Sequence, residues 1–162
     1  MAKNITKFFF EDFTIGQEFE GKGITLTEAS IIEFALSYDP QPFHIDAQAA
    51  EQSPFEGLIA SGFQTIAITF RSFWETGVMA YCGAGGGGID TVKWHKPVRP
   101  GDTITATATV LEVIPSRSKP EQGIVRMRYE GSNQKGDKVI TVEIPQIMKR
   151  APQIENRSKK WN

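Results

Sequence analysis

The chain has 162 residues, 40% of them hydrophobic and 23% charged, which suits one globular domain that buries a core without staples. Lys and Arg (18) nearly balance Asp and Glu (19) for a net charge of −1, which excludes the basic field that nucleic acid requires. The single cysteine, Cys82, excludes an internal disulfide and any multi-cysteine metal site. The apolar run Phe8-Phe9-Phe10 is too short for a signal core, and no segment is long enough to span a bilayer. A cytoplasmic protein is expected, in keeping with the unpaired cysteine.

Turn glycines at Gly16, Gly21 and Gly23 leave room for short strands near Gln17–Phe19 and Lys22–Leu26. Thr27 reads as a helix N-cap with Glu28 in the first turn. Ile31, Phe34, Ala35 and Tyr38 then recur at helical spacing. Pro40 and Pro42 stop this helix, because proline disfavours helix in the preceding residue. Asp46 caps a short helix over Ala47–Glu51, and Pro54 and Gly57 mark a loop. Ser61 caps the next helix. From Gly62 to Ala80 the pattern is apolar on most sides, which predicts an enclosed helix about 28 Å long. Gly83 to Gly88 reads as a helix stop and a loop near the ligand entrance. Strands follow at Ile89–Trp94, at Thr103–Val110 with strict Thr/apolar alternation, at Gly123–Ser132 and at Lys138–Met148. Asn133–Asp137 is a hairpin turn. A long helix followed by consecutive strands with short connections predicts an α+β fold, with an antiparallel sheet curled around the helix.

The densest run of chemistry-bearing residues is Tyr38-Asp39-Pro40-Gln41-Pro42-Phe43-His44-Ile45-Asp46. A carboxylate and an imidazole lie five residues apart on a segment stiffened by two prolines. Together they can hold a water and move its protons. The same run also reads as a helix stop in which Asp39 bonds local backbone and His44 is partly buried. At Gly57-Leu58-Ile59-Ala60-Ser61-Gly62-Phe63, the Gly62 N–H is a free donor if it opens the helix, suited to polarising a thioester carbonyl. The alternative is that Ser61 only caps and Gly62 only allows close packing.

Three segments in order resemble one family. Phe10-Glu11-Asp12-Phe13-Thr14-Ile15-Gly16-Gln17 is similar to the opening of MaoC-like dehydratases. Asp39 to Asp46 followed by Phe55 to Gly62 resembles their hydratase signature. Val92-Lys-Trp-His-Lys-Pro-Val-Arg-Pro-Gly-Asp102 resembles their later strand and turn. The resemblance covers most of 10–150. It implies a hot-dog domain there, with 1–9 as an N-terminal arm and 151–162 as a tail. It also implies a homodimer or larger homo-oligomer, and reversible hydration of trans-2-enoyl thioesters to 3-hydroxyacyl thioesters. The acyl group is usually carried on coenzyme A, as part of the substrate, and no separate cofactor or metal is implied. On this resemblance Asp39 and His44 handle water and protons, and the Gly62 N–H takes the carbonyl oxygen. Gln41, Phe43, Ser61 and Phe63 flank these positions and are expected at the substrate. Arg117 and Lys119, in the Ser116–Pro120 connection, are candidates for coenzyme A phosphates.

The chain departs from the family in three places. Gln41 stands where Asn is commoner, and Ser61 where a His often precedes the glycine. Phe70, beside Thr69, replaces a Ser that helps hold the Asp or its water, so Asp39 is expected to be held by Gln41 or Ser61. These changes keep a non-catalytic acyl-CoA-binding protein or inactive partner subunit in view. Thioester hydrolysis is a further alternative, although Gly62–Ile68 supplies no carboxylate and Glu75 sits far along the helix. Two motifs are set aside. Gly83–Gly88 has the glycines of a dinucleotide fingerprint but lies between helix and strand, the wrong order. His95 reads as structural, and two histidines without matching carboxylates make no zinc site.

Overall fold

The computed structural model describes residues 7–152; most of the expected tail, residues 153–162, lies outside them. A 3-10 turn, Phe10–Asp12, leads into two short strands, β1 (Glu18–Glu20) and β2 (Ile24–Thr25). Three helices follow, α1 (Glu28–Tyr38), α2 (Pro42–Ile45) and α3 (Ala47–Glu51), and then the central helix α4 (Gly62–Trp74). The rest is strand: β3 (Gly83–Gly86), β4 (Thr91–Trp94), β5 (Thr103–Pro115), β6 (Gln122–Ser132) and β7 (Lys138–Lys149). The strands form one antiparallel sheet in the order β1-β5-β6-β7-β3, with β2 also on β5 and β4 also on β7. The sheet packs on α4, chiefly through β5. This is the hot-dog arrangement expected above.

The alternation in β5 does what its period dictates. Ile104, Ala106, Ala108 and Val110 are buried, while the threonines between them are half-exposed. Val125, Met127 and Tyr129 of β6 and Val139, Ile140 and Val142 of β7 complete that face. Phe8, Phe13, Phe19 and Phe73 form an aromatic cluster in tilted and edge-to-face contacts, so the described part of the expected arm packs against the core. Among the described residues no helix is long and apolar enough to cross a membrane.

Three expectations are corrected. The central helix ends at Trp74, not Ala80, and is about 20 Å long. Glu75 caps it, and Gly77 turns the chain away in the left-handed region (φ 82°), a conformation natural to glycine. Nor is α4 apolar towards the sheet. Its buried face carries Gln64, Thr65, Thr69 and Ser72 beside Phe73, whereas Phe63 and Trp74 are exposed and Ile66 and Phe70 half-buried. The polar groups are bonded to backbone: Thr65 to Ser61 O, Thr69 to Thr65 O, Ser72 to Lys22 O, and Gln64 to Ser30 O. Small bonded side chains let the helix sit close to the sheet; Gly21 and Gly131 give way to Ser72 and Thr69 respectively. Finally, Gly83–Gly86 is not a loop but an edge strand on β7, with a register shift between Gly83 and Gly85. Glycine's lack of side-chain signal hid it. At other boundaries β4 starts at Thr91 rather than Ile89, β5 runs on to Pro115, and Pro42–Ile45 forms a short extra helix.

Candidate active site

Two connections build the site. Helix α1 ends at Asp39, and proline at the first position of α2 restarts the chain so that His44 falls on its inner face, 3% exposed. The 57–61 segment then runs alongside. Ile59 N–H donates to Phe43 O (3.2 Å) and Ala60 N–H to Val98 O (2.8 Å). The Ile59 carbonyl thereby faces His44, whose Nδ1 lies 2.7 Å away. A carbonyl only accepts, so Nδ1 carries the proton. Nε2 is left facing Asp39, 3.4 Å from Oδ2.

Asp39 is held on both oxygens. Ser61 Oγ–H donates to Oδ2 (2.6 Å) and Gln41 Nε2–H donates to Oδ1 (2.8 Å). These two donors hold the Asp39 carboxyl below the usual carboxylate range, the Ser61 bond most strongly, against the opposing effect of burial and with help from His44. Ser61 also accepts from Phe63 N–H (3.2 Å), so one hydroxyl caps α4 and fastens the carboxylate. Gly62 opens α4, and its N–H stands outside the helix ladder at the positive end of the dipole. Trp94 covers it: the indole N–H donates to Gly62 O (3.2 Å), and a Cβ on Gly62 would lie 3.0 Å from the indole ring.

A cavity of about 350 Å³ opens here, lined by His44 and Gly62 and by Phe43, Phe55, Trp94 and Val98 among others. Its volume falls in the range of small-molecule sites, and its mostly apolar wall with a few convergent polar atoms is the usual form of one. Sequence reasoning missed Trp94, Phe55 and Val98. Trp94 and Val98 sit inside the Val92–Asp102 run, but nothing local says that they meet a glycine more than thirty positions earlier. His95, read as structural, bonds Thr141 Oγ1 (2.9 Å) and also lines this cavity.

Of the candidate residues, Asp39, Gln41, Phe43, His44, Ser61 and Gly62 come together. Phe63 does not: it is 64% exposed and points to a surface patch with Phe34 and Tyr38. Arg117 and Lys119 do not either. They lie beyond Pro115, while Trp94 shares a row with Ile140, Gly131 and Ala106. Ten strand residues, about 30 Å, separate that row from the connection, so neither side chain reaches this protomer's site. Among the described residues no three His, Cys, Asp or Glu side chains group as metal ligands would.

Residues 11–133 match the model of the MaoC-like domain. The chain belongs to the MaoC-like dehydratase family. It is 32% identical over 125 residues to the (R)-specific enoyl-CoA hydratase of Rhodospirillum rubrum, covering 72% of this chain and 78% of that one. It is 36% identical over 140 residues to the uncharacterized protein YdeM of Bacillus subtilis, 86% and 98% of the two chains. Its backbone superposes on the crystal structure of a MaoC-like dehydratase from Rhodospirillum rubrum with a TM-score of 0.82 at 36% identity, over 89% of this chain and 98% of that one. The R-hydratase of Pseudomonas aeruginosa in its unliganded form gives a TM-score of 0.70 at 27% identity, over 89% and 86%. A MaoC-like member thus has an imidazole and a helix-start amide at one apolar cavity, with a carboxylate 3.4 Å from the imidazole.

Proposed function

We propose that this MaoC-like protein adds water reversibly to trans-2-enoyl thioesters, carried on coenzyme A, to give 3-hydroxyacyl thioesters. The observation that carries the reading is the His44 ring, pinned at Nδ1 by Ile59 O so that Nε2 faces Asp39 Oδ2 beside the Gly62 amide. A water in the cavity beside Nε2 and Oδ2, which lie 3.4 Å apart, can donate to both acceptors. Asp39, held below the usual carboxylate range by Ser61 and Gln41, orients the water, while His44 Nε2 takes its proton. The hydroxide oxygen bonds to Cβ, the carbon–carbon π pair moves to Cα, and negative charge builds on the thioester oxygen, where Gly62 N–H donates to it. The proton on Nε2 then passes to Cα, which restores the imidazole and balances the addition. The exposed apolar stripe of α4 and the open β3/β4 edge support a homodimer.

The test is hydration of a panel of trans-2-enoyl-CoA esters, followed by loss of the conjugated enoyl absorbance. At least one ester turns over, and His44→Ala and Asp39→Asn each lower the rate by about 10²–10⁴-fold. Tight binding of every ester with no turnover would make the protein an acyl-CoA-binding module instead. Release of free thiol without hydration would make it a thioesterase, a chemistry for which α4 supplies no carboxylate before its cap, Glu75.

A further inference from the structure

On α4 the catalytic cavity touches Gly62 and Thr65 and goes no further. A separate cavity, of about 500 Å³, takes in Ile66, Phe70 and Trp74 of the same helix, with Ile144 and Gln146 of β7. Among the described residues none lines both. Residues four apart share a helix face, so Gly62 and Ile66 are neighbours on one stripe, about 6 Å apart along the axis. A barrier therefore stands within one helical turn of the amide that takes the thioester oxygen.

Trp94 is placed to be that barrier. It ends β4 opposite Ile140 of β7, and Val92, opposite Val142, precedes it on the same face. Along β7 the order is thus Ile140, Val142, and then Ile144 and Gln146 of the separate cavity. The Trp94 ring lies against Gly62: an added Cβ there would be 3.0 Å from Cε2 and Nε1 and 3.1 Å from Cζ2. The indole N–H donates to Gly62 O (3.2 Å), which fastens the ring to the helix start. The residue is 50% exposed and takes no part in the buried core, so core packing does not account for its place.

Building on the hydratase reading, we propose that Trp94 sets the acyl length: its ring, fastened to Gly62, shuts the catalytic cavity off along α4 and restricts the protein to short-chain enoyl thioesters. Selection of this kind works by a clash with the longer chain and needs no added contact with the shorter one. The donor for the carbonyl oxygen and the ring that stops the chain meet at one glycine, so the permitted length is measured from the carbonyl itself.

The test uses saturated esters, which bind but cannot be hydrated. Butyryl-CoA and decanoyl-CoA are titrated calorimetrically into the full chain, and the ratio of their affinities is read. The unaltered protein holds decanoyl-CoA no more tightly than butyryl-CoA. Trp94→Ala opens the way along α4 and shifts the ratio at least about tenfold toward decanoyl-CoA, as the added methylenes leave water. Trp94→Phe keeps a ring but loses the N–H that fastens it, and shifts the ratio less, about fivefold. This second variant decides the matter should Trp94→Ala not fold. Tighter binding of decanoyl-CoA by the unaltered protein, or a ratio that neither substitution moves, overturns the assignment and leaves Trp94 only a brace for the helix start. Hydration of crotonyl-CoA is followed separately. Its absence, with the ratio still responding at Trp94, takes down the hydratase reading and leaves the length control standing; an unresponsive ratio with crotonyl-CoA hydrated does the reverse. Failure of both saturated esters to bind overturns the length control together with the coenzyme A carrier on which it rests.

Discussion

Asp39 gathers partners from three distances along the chain: Gln41 two residues on, His44 five, and Ser61 twenty-two. The near pair was legible in the sequence, because two prolines between a carboxylate and an imidazole restrict how they can face one another. The expectation that Gln41 or Ser61 would hold Asp39 is met by both. What the sequence hid was the pinning of His44 Nδ1, since Ile59 contributes only a backbone carbonyl and no residue type signals it. A consequence follows for pH. Asp39 titrates below the ordinary carboxylate range, so its contribution to stability is present above that range and is lost as pH falls through the lowered value. Ser61→Ala deletes the largest cause of the lowering. The acid limb of the pH–kcat/KM profile therefore moves to higher pH, and loss of the helix cap costs about 1–2 kcal/mol in chemical denaturation. An unmoved acid limb would mean that Asp39 does not need its charge for the reaction.

Among the elements, the long strands β5, β6 and β7 were the easiest to read, and α4 and the glycine strand β3 the hardest. In β5 the threonines alternate with buried aliphatics without exception, so period alone placed the strand. The turn at Asn133–Asp137 likewise announced itself, and Gly136 takes a positive φ of 79° there. Helix α4 misled because its apolar residues were read as core. Phe63 and Trp74 face outward and Ile66 and Phe70 are only half-buried, and beside Phe73 the buried face carries Thr65, Thr69 and Ser72, whose hydroxyls are spent on backbone. That packing depends on missing atoms in the neighbours. A Cβ on Gly21 would stand 2.4 Å from Ser72 Oγ and 2.8 Å from the Ser72 backbone. Gly21→Ala therefore lowers the denaturation midpoint by an amount equivalent to about 1–3 kcal/mol, with the slope unchanged. Gly85→Ala faces no neighbour within 4 Å but must hold a φ of 127°, so its cost is backbone strain alone.

At the scale of the molecule, one protomer leaves a good deal of apolar surface uncovered. Tyr38 is 73% exposed, Phe63 64% and Trp74 45%, and β3 and β4 pair with β7 on one side only. A homodimer is predicted by light scattering at micromolar concentration. Tyr38→Glu combined with Phe63→Glu raises its dissociation constant at least about tenfold, since charges buried at an interface without partners are costly. Phe63, expected from sequence at the substrate, lies instead in an exposed patch with Phe34 and Tyr38, because its position one residue past Gly62 turns it about 100° round the helix, away from the cavity that Gly62 lines. Arg117 and Lys119 were attractive for phosphates by composition alone; only the sheet register revealed their distance from the site.

The central claim is that Asp39, His44 and the Gly62 amide converge on one carbon–carbon double bond. A crystal soaked with a short trans-2-enoyl-CoA tests it directly. The thioester oxygen is predicted about 3 Å from Gly62 N, with Cβ facing a water shared by Asp39 Oδ2 and His44 Nε2. A thioester bound with its carbonyl turned away from Gly62, or with neither side chain near Cβ, would contradict the account.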